Sequence, residues 1–590
     1  MKWDLERIEP KGLPEIEVKK ALNEVDQRLA MFEVDRHTAN KEDIIQNVLE
    51  AQDIYLKWYQ LFEYVICLHS IDTTNEEAAG WRHSVNEVYS RYQMLETTLD
   101  QMFACASERD WGAVLQDTRV RDIKALLDRR RYQQLQLNND SIEAAMRSLQ
   151  ADGLHAWGEM NQLAASRISI ILNGKEVKAQ NVPALIYYGS ERDIRLKGFE
   201  QWKTEWERES PICAKAINHI AGFRLSQYKE RGWGSFLKES LDANRLTETT
   251  LDAMWQAVLE NRQPFYDYIK QKKVLFQATE LSWTDQFAPL ALEQQGKVVP
   301  FNEGVAFIEQ HLHSFDPRLA EFTRQIINDN WVDAEPSDLK SPGAFCAPMP
   351  INKESRIFMH YHENLESVGV LAHEIGHAYQ YRLLQELPMY RQDCPMVMAE
   401  LASTLTETIV MRAAIEAAID PKEKLHLLNQ QLVRDLVTIL NSYIRHQFEV
   451  ELYEKRKHGF VRASELNQLM EDVQKEVMGD LFDSYEPTFW ASLRHFYFTH
   501  KPFGHYPYTI AHLLSIGFYK VLEKSDRPGE LFDEMLIDAS VLSVEELIEK
   551  HTGMDPTCSE FWTLSLEKVF DDIKLFMEIS KEIKEREASK

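Results

Sequence analysis

Leu371-Ala372-His373-Glu374-Ile375-Gly376-His377-Ala378 is the stretch on which the reading of this chain turns, because it sets two histidines one helical turn apart with a glutamate between them. On an α-helix, residues four apart share a face, so His373 and His377 can offer two imidazole nitrogens to one tetrahedral cation while Glu374 stands beside it. The flanking residues support a helix. From Ser367 to Leu387, apolar residues recur at Val368, Leu371, Ala372, Ile375, Ala378, Tyr379, Leu383 and Leu387, and Pro388 reads as the stop. Gly376 costs such a helix about 1 kcal/mol relative to alanine, a cost that makes sense if another segment approaches the backbone beside the histidines.

This His-Glu-x-x-His arrangement is that of zinc-dependent hydrolases, whose metal takes three protein ligands and keeps one position for water. The third ligand must come from downstream. The spacings of thermolysin-like and aminopeptidase-like enzymes fall on Met396 and Val397, and the three-histidine motif would need glycine and histidine where Gln380 and Leu383 stand. Glu386 is still on the motif helix, and Asp393 precedes a new helix opened by Asp393-Cys394-Pro395-Met396. Glu400, one turn into that second helix, is the expected third ligand. Ser403 and Glu407 share its face at i+3 and i+7, where they either hydrogen-bond to the ligands or form an ordinary helix face. In such a set Glu374 takes a proton from the zinc-activated water and passes it to the leaving amine. The oxyanion then needs donors, and the aromatic and histidine-rich run from His495 to Tyr508 contains groups of that kind.

The rest of the chain predicts a mainly α protein. Long amphipathic helices are expected over Ile44–His69 and Glu76–Cys105, and helical periodicity returns from Ser190 onward and again after the motif. The β-branched run Ile168-Ser169-Ile170-Ile171-Leu172 meets Asn173-Gly174, a strong hairpin signal. A lobe boundary near it divides the chain into an N-terminal helical lobe, 1–180, and a catalytic domain, 181–590. Two short strands, Gly343-Ala344-Phe345-Cys346 and Arg356 to Tyr361, are expected just before the motif helix. A strand edge there, at Gly343 and Ala344, can pair with an extended peptide through backbone hydrogen bonds, or the strands can simply cover the core.

With 590 residues, a net charge of −27 and a pI near 5.2, the chain is a poor match for nucleic acid or an anionic membrane, both of which need a positive surface. No stretch has the length and apolarity of a signal peptide or a membrane span, and the six cysteines have no C-x-x-C spacing, so a reducing cytoplasm is the expected location. The sequence assigns no oligomeric state.

Taken together, His373-Glu374-Ile375-Gly376-His377-Ala378, Glu400-Leu401-Ala402-Ser403 with Glu407, and the Pro502-Phe503 to Pro507-Tyr508-Thr509 segment resemble the thimet oligopeptidase and oligoendopeptidase F family, on its bacterial oligoendopeptidase F side. The resemblance extends to Trp331–Cys346, to Ala216-Ile217-Asn218 with Arg231-Gly232-Trp233, and to Gly553-Met554-Asp555 with Phe561-Trp562. It implies a two-lobed helical enzyme with a deep central channel and a small β element beside the metal-binding helix. It also implies one zinc ion per chain and cleavage of short peptides at internal bonds. By similarity His373, His377 and Glu400 are the ligands, Glu374 is the general base, and His495 and Tyr508 assist the oxyanion. Many relatives carry an aromatic residue where this chain has Gly504 and a different polar residue at His505, so either His505 or Tyr506 would supply the substrate contact made there. Two other readings are a terminal-trimming exopeptidase of the dipeptidase type and a non-catalytic helical protein that keeps a peptide groove.

Overall fold

The computed structural model describes residues 1–8, 14–32, 40–137, 140–290 and 298–588. Helices dominate them, and capping fixes where each begins. Helix α1 (Lys41–Ile71) starts at Asn40, whose side chain accepts from the Asp43 amide at 3.1 Å while Asp43 reaches back to the Asn40 amide. Helix α2 (Glu76–Cys105) starts at Asn75, which accepts from the Ala78 amide at 3.0 Å. The two pack through rings, with Trp58 and Tyr89 stacked at 4.2 Å and Tyr55 and Tyr92 at 5.1 Å.

Strands β1 (Ser169–Leu172) and β2 (Lys175–Lys178) form the expected antiparallel hairpin, and Asn173 (φ 49°) and Gly174 (φ 76°) take the two left-handed positions of its turn. The outer edge of β1 is not left open. Gln201, on the long helix α3 (Arg192–Glu230), accepts from the Ile171 amide at 2.9 Å and donates to its carbonyl at 3.0 Å.

A second, three-stranded sheet lies beside the motif helix. Its strands are β3 (Val332–Asp333), β4 (Phe345–Met349) and β5 (Glu354–Phe358), in the order β3-β5-β4, with β4 antiparallel and β3 parallel to β5. Phe345 stacks on Phe358 at 5.0 Å and Trp3 tilts against Phe358 at 5.9 Å, joining the sheet to the same apolar core as α1 and α2. Buried Lys340 ties down the approach to β4 by donating to the Asp333 carboxylate at 2.8 Å and to the Met359 carbonyl at 2.8 Å. The sequence signals two of these strands; β3, two residues long, is too short to carry any periodicity.

Strands β4 and β5 pack on the motif helix α4 (Leu365–Leu384). This helix begins two residues before the apolar stripe because Asn364 accepts from the Ser367 amide at 2.8 Å, and it ends at Leu384, short of Leu387. The second expected helix follows as α5 (Met396–Ala417), with the Pro395 carbonyl accepting from Met398 and Ala399. Later come α6 (Ser442–His458), α7 (Tyr506–Leu522) and α8 (Ser559–Ala588). The stretch His500–Tyr508 reads in sequence as a loop, with its glycine and prolines, but α7 opens at Tyr506 and Tyr508 sits on its first turn. Among the described residues, no helix is long and apolar enough to cross a membrane.

By packing, the chain forms two compact units, each drawn from three stretches. The first comprises residues 1–137, 296–413 and 519–543, and the second 138–295, 414–518 and 544–590. Both helices that carry the expected metal ligands contribute those residues to the first unit.

Candidate metal centre

Helices α4 and α5 come together at Gly376. A Cβ there would lie 2.6 Å from the Ala402 carbonyl oxygen and 2.7 Å from the Ser403 Cα, and one at Gly369, seven residues earlier, would meet Met411 Sδ at 3.2 Å. The glycine that penalises α4 in isolation is thus what lets α5 lie against it and bring Glu400 to the histidines. Gly376→Ala is expected to lower Tm and loosen metal retention, because forced overpacking costs about 1–3 kcal/mol and the neighbouring atoms are backbone, whereas helix propensity returns only about 1 kcal/mol. Thermal melts and chelator competition check it; an unchanged Tm would mean that α5 yields easily.

The result of this approach is a three-residue cluster. Ligand atoms of His373, His377 and Glu400 all lie within 4.8 Å of one another. Glu400 Oε2 is 3.4 Å from His373 Nε2 and 4.0 Å from His377 Nε2, close to the roughly 3.3 Å between ligand atoms of a tetrahedral zinc site. His373 Nδ1 is 3.2 Å from Glu407 Oε2, so its other nitrogen faces Glu400. Ser403 Oγ donates to Glu400 Oε2 at 3.2 Å and to its carbonyl at 3.1 Å. Of the two helix-face residues, Glu407 therefore orients a histidine and Ser403 the carboxylate. Glu407→Ala is expected to weaken metal binding on the order of 10- to 100-fold, as measured by competition with a chromogenic chelator; unchanged affinity would reduce the contact to packing.

The charge balance suits a divalent cation. Three carboxylates, those of Glu374, Glu400 and Glu407, surround two imidazoles in a half-buried to buried setting. In the metal-free protein burial opposes a charge on His373, but hydrogen bonds to Glu400 and then Glu407 outweigh it and push the imidazole up to about 10. Burial, with the His373 cation nearby, holds His377 down to about 4. Glu400 is drawn below its ordinary value, because His373 outweighs the effect of burial. A cation entering this cluster must displace the His373 proton and takes over its role as counter-ion. Burial raises Glu374 to about 7, His373 pulling it down and Glu400 and Glu407 pushing it up. Glu374 Oε2 and His377 Nδ1 are shielded from solvent and have no hydrogen-bond partner among the described residues.

The remaining expected site residues fall in different settings. Gly343, at φ 98° with open space where a Cβ would stand, leads with Ala344 into β4, an edge strand of its sheet. In the second unit, the His495 ring lies 5.5 Å from His505 and 6.4 Å, edge-on, from Tyr508, and Tyr508 is 40% exposed. Tyr506 and His505, the expected substrate contacts, are both buried. Tyr506 is fully buried with its hydroxyl 2.9 Å from Ser240 Oγ and 3.4 Å from Asn244 Nδ2, and His505 is buried against Phe496 and His495. On the first turn of α7 Tyr506 faces inward and Tyr508 outward, and His505 precedes the helix.

Two residues that hold this segment carry no local sequence signal. Arg224, buried on α3, donates to the carbonyls of Phe498 and Thr499 at 3.0 and 2.9 Å, and Glu449 on α6 accepts from the amide of Phe503, which sits at φ 52°. Each lies tens to hundreds of positions away in sequence, and only a buried charge in a helix could have hinted at them.

Residues 301–562 match peptidase family M3. A curated relative, the chromosomally encoded oligoendopeptidase F of Lactococcus lactis subsp. cremoris, is 24% identical over 52% of this chain, and the chain spans about half the length of the curated relatives it matches, 51% in that case. The fold is also that of solved structures. A Chlamydophila abortus protein superposes with a TM-score of 0.82 at 18% identity, covering 98% of both chains, and oligoendopeptidase-F from Enterococcus faecium with 0.70 at 14% identity, covering 97% of this chain and 100% of that one. Residues 301–562, which contain the whole His373-His377-Glu400 cluster, are thus the part of the chain that matches peptidase family M3, and the chain is similar to oligoendopeptidases F in sequence over about half its length and in fold over nearly all of it.

Proposed function

We propose that this protein is a zinc-dependent endopeptidase that hydrolyses internal bonds of short oligopeptides. The observation that carries the reading is the convergence of His373, His377 and Glu400 beside a buried glutamate, one of whose carboxylate oxygens has no hydrogen-bond partner among the described residues. His373, His377 and Glu400 would hold the zinc, which would supply Lewis-acid activation of water and of a carbonyl there. Glu374 Oε2 accepts the proton of the attacking water and returns it to the leaving amine nitrogen, a task for which a carboxyl near neutrality is well placed. The family resemblance assigns oxyanion assistance to His495 and Tyr508. Burial, and then Arg445, holds His495 down to about 4, so it acts as a neutral imidazole, and its Nδ1 has no partner among the described residues. The open edge of β4, entered through Gly343 and Ala344, offers backbone groups to an extended peptide without reading its side chains. No disulfide joins the cysteines among the described residues, which suits a reducing compartment, and action in the cytoplasm is part of the same proposal.

The test is a quenched-fluorescence peptide of about ten residues blocked at both ends, with products mapped by mass spectrometry. Internal cleavage that stops on chelation and returns with zinc is the expected result. Resistance of the blocked peptide alongside trimming of a free one would make the enzyme an exopeptidase, and no cleavage together with no metal content would remove the enzymatic reading.

A further inference from the structure

Within the second unit a groove of about 680 Å³ runs between the helix Glu248–Glu260 and α6, with residues 234–237 also against it. Glu248, Asp252, Gln256 and Glu260 line it from the first helix, each four residues after the last, so they form one stripe along its axis. From α6 come Tyr443, His446, Val450, Glu454 and Lys457, again a single helix face. The floor is aromatic, since the Trp255 ring meets Tyr443 edge-on at 5.1 Å and His446 at 5.5 Å. Four carboxylates on the rim face one lysine, and that lysine is engaged. Lys457 Nζ pairs with Glu454 at 2.8 Å and stands 4.8 Å from the Phe236 ring centroid, an ammonium held between an aromatic face and a carboxylate. Glu248 and Asp252 have neither a hydrogen bond nor an ion pair among the described residues, and burial raises the Asp252 carboxyl above its ordinary value, so its charge stands in the recess. On the floor His446 is 5% exposed, and burial holds its imidazole down to about 3, which keeps it neutral. Its Nδ1 is shielded and has no hydrogen-bond partner among the described residues.

We propose that this groove binds a free linear aliphatic polyamine, laid along the helix Glu248–Glu260 with successive ammonium groups on Glu248 and Asp252 and its methylenes over Tyr443 and Trp255. Charge complementarity selects a cation, because the two unpaired carboxylates have no counter-ion of their own and the aromatic floor attracts positive charge. Spacing selects a linear one. Four residues of helix advance about 6 Å, the span that a link of three or four methylenes sets between the nitrogens of a polyamine. The site lies wholly in the second unit and shares no residue with the metal cluster, so it goes beyond the peptidase reading and does not rest on it.

The experiment is calorimetric titration of the metal-loaded full chain with spermidine, 1,4-diaminobutane and butylamine. Spermidine is expected to bind saturably at about one equivalent, with a Kd on the order of 0.1 mM at low ionic strength that weakens to roughly 1 mM at physiological salt. Affinity should fall with each ammonium lost from the ligand. Glu248→Gln combined with Asp252→Asn is expected to weaken spermidine on the order of 5- to 30-fold, and Tyr443→Leu, which keeps the rim charges, by roughly threefold. Asp252→Lys, which gives the groove an ammonium of its own, should abolish binding. The acidic side chains are exposed, so the ligand-free Tm of these variants should match the wild type, while spermidine raises the Tm of the wild type alone. Spermidine no tighter than butylamine overturns the proposal. Binding that survives the double substitution also overturns it, since the polyamine would then be held by the acidic surface at large in a protein of net charge −27. A blocked trilysine that displaces spermidine and binds more tightly would assign the groove to a basic peptide segment instead. Because the readout is binding and not cleavage, an inactive protein that still binds spermidine would keep this site while the peptidase reading fails.

Discussion

Glu374→Gln leaves metal content unchanged and lowers peptide cleavage by on the order of 10²- to 10⁴-fold, the usual weight of a positioned general base. Glutamine has the shape of glutamate but cannot accept a proton, and Glu374 is not among the three residues whose ligand atoms converge. The variant should also be no less stable than the wild type when metal-free, because the replaced carboxyl is buried and crowded by Glu400 and Glu407. Metal analysis, single-turnover peptide assays and thermal melts test all three points. Cleavage at the wild-type rate in a metal-replete Glu374→Gln preparation would take the proton-transfer role from this residue.

Glu400→Gln has the opposite signature. It removes the one anionic ligand of the cluster, the charge that His373 and His377 face at 3.4 and 4.0 Å, and the acceptor of Ser403. Metal content is expected to fall from about one equivalent to well below it after dialysis, and activity to fall in proportion. Added zinc in excess should restore part of both. Circular dichroism should stay native, since the Glu400 side chain keeps 29% of its surface exposed and the α4–α5 contact is made by Gly376, Ala402 and Ser403 rather than by this side chain. Full metal retention would move the third ligand elsewhere. The pair of variants therefore separates loss of proton transfer with metal kept from loss of metal itself.

Much of the metal centre was legible in the sequence because its parts are local. His373, Glu374 and His377 sit within one helical turn, and helix geometry alone puts both imidazoles on one face. Glu400 could be reached by exclusion, since few acids lie between the motif and the next helix. Gly376 announced itself as a cost in search of a reason, and the reason is the backbone of Ala402 and Ser403. The Asn-Gly hairpin was equally local, because two left-handed positions leave few residue types to choose from.

What resisted the sequence is non-local. The strand β3 is two residues held by a parallel neighbour, and nothing in Val332-Asp333 alone demands it. Whether a tyrosine or histidine in the run 495–508 faces solvent depended on where α7 begins and on Ser240 and Asn244, which engage Tyr506 from more than 260 positions away. The same holds for Arg224 and Glu449, charged residues on helices that look like any solvated face until packing buries them. By itself the sequence determined a helical protein and a helical turn with two histidines on one face, with Glu400 the expected third member of their cluster, because periodicity and ligand spacing act over a few residues. The tertiary structure alone decided which distant groups are buried and which are paired, because desolvation is a property of everything packed around a side chain and not of its neighbours along the chain.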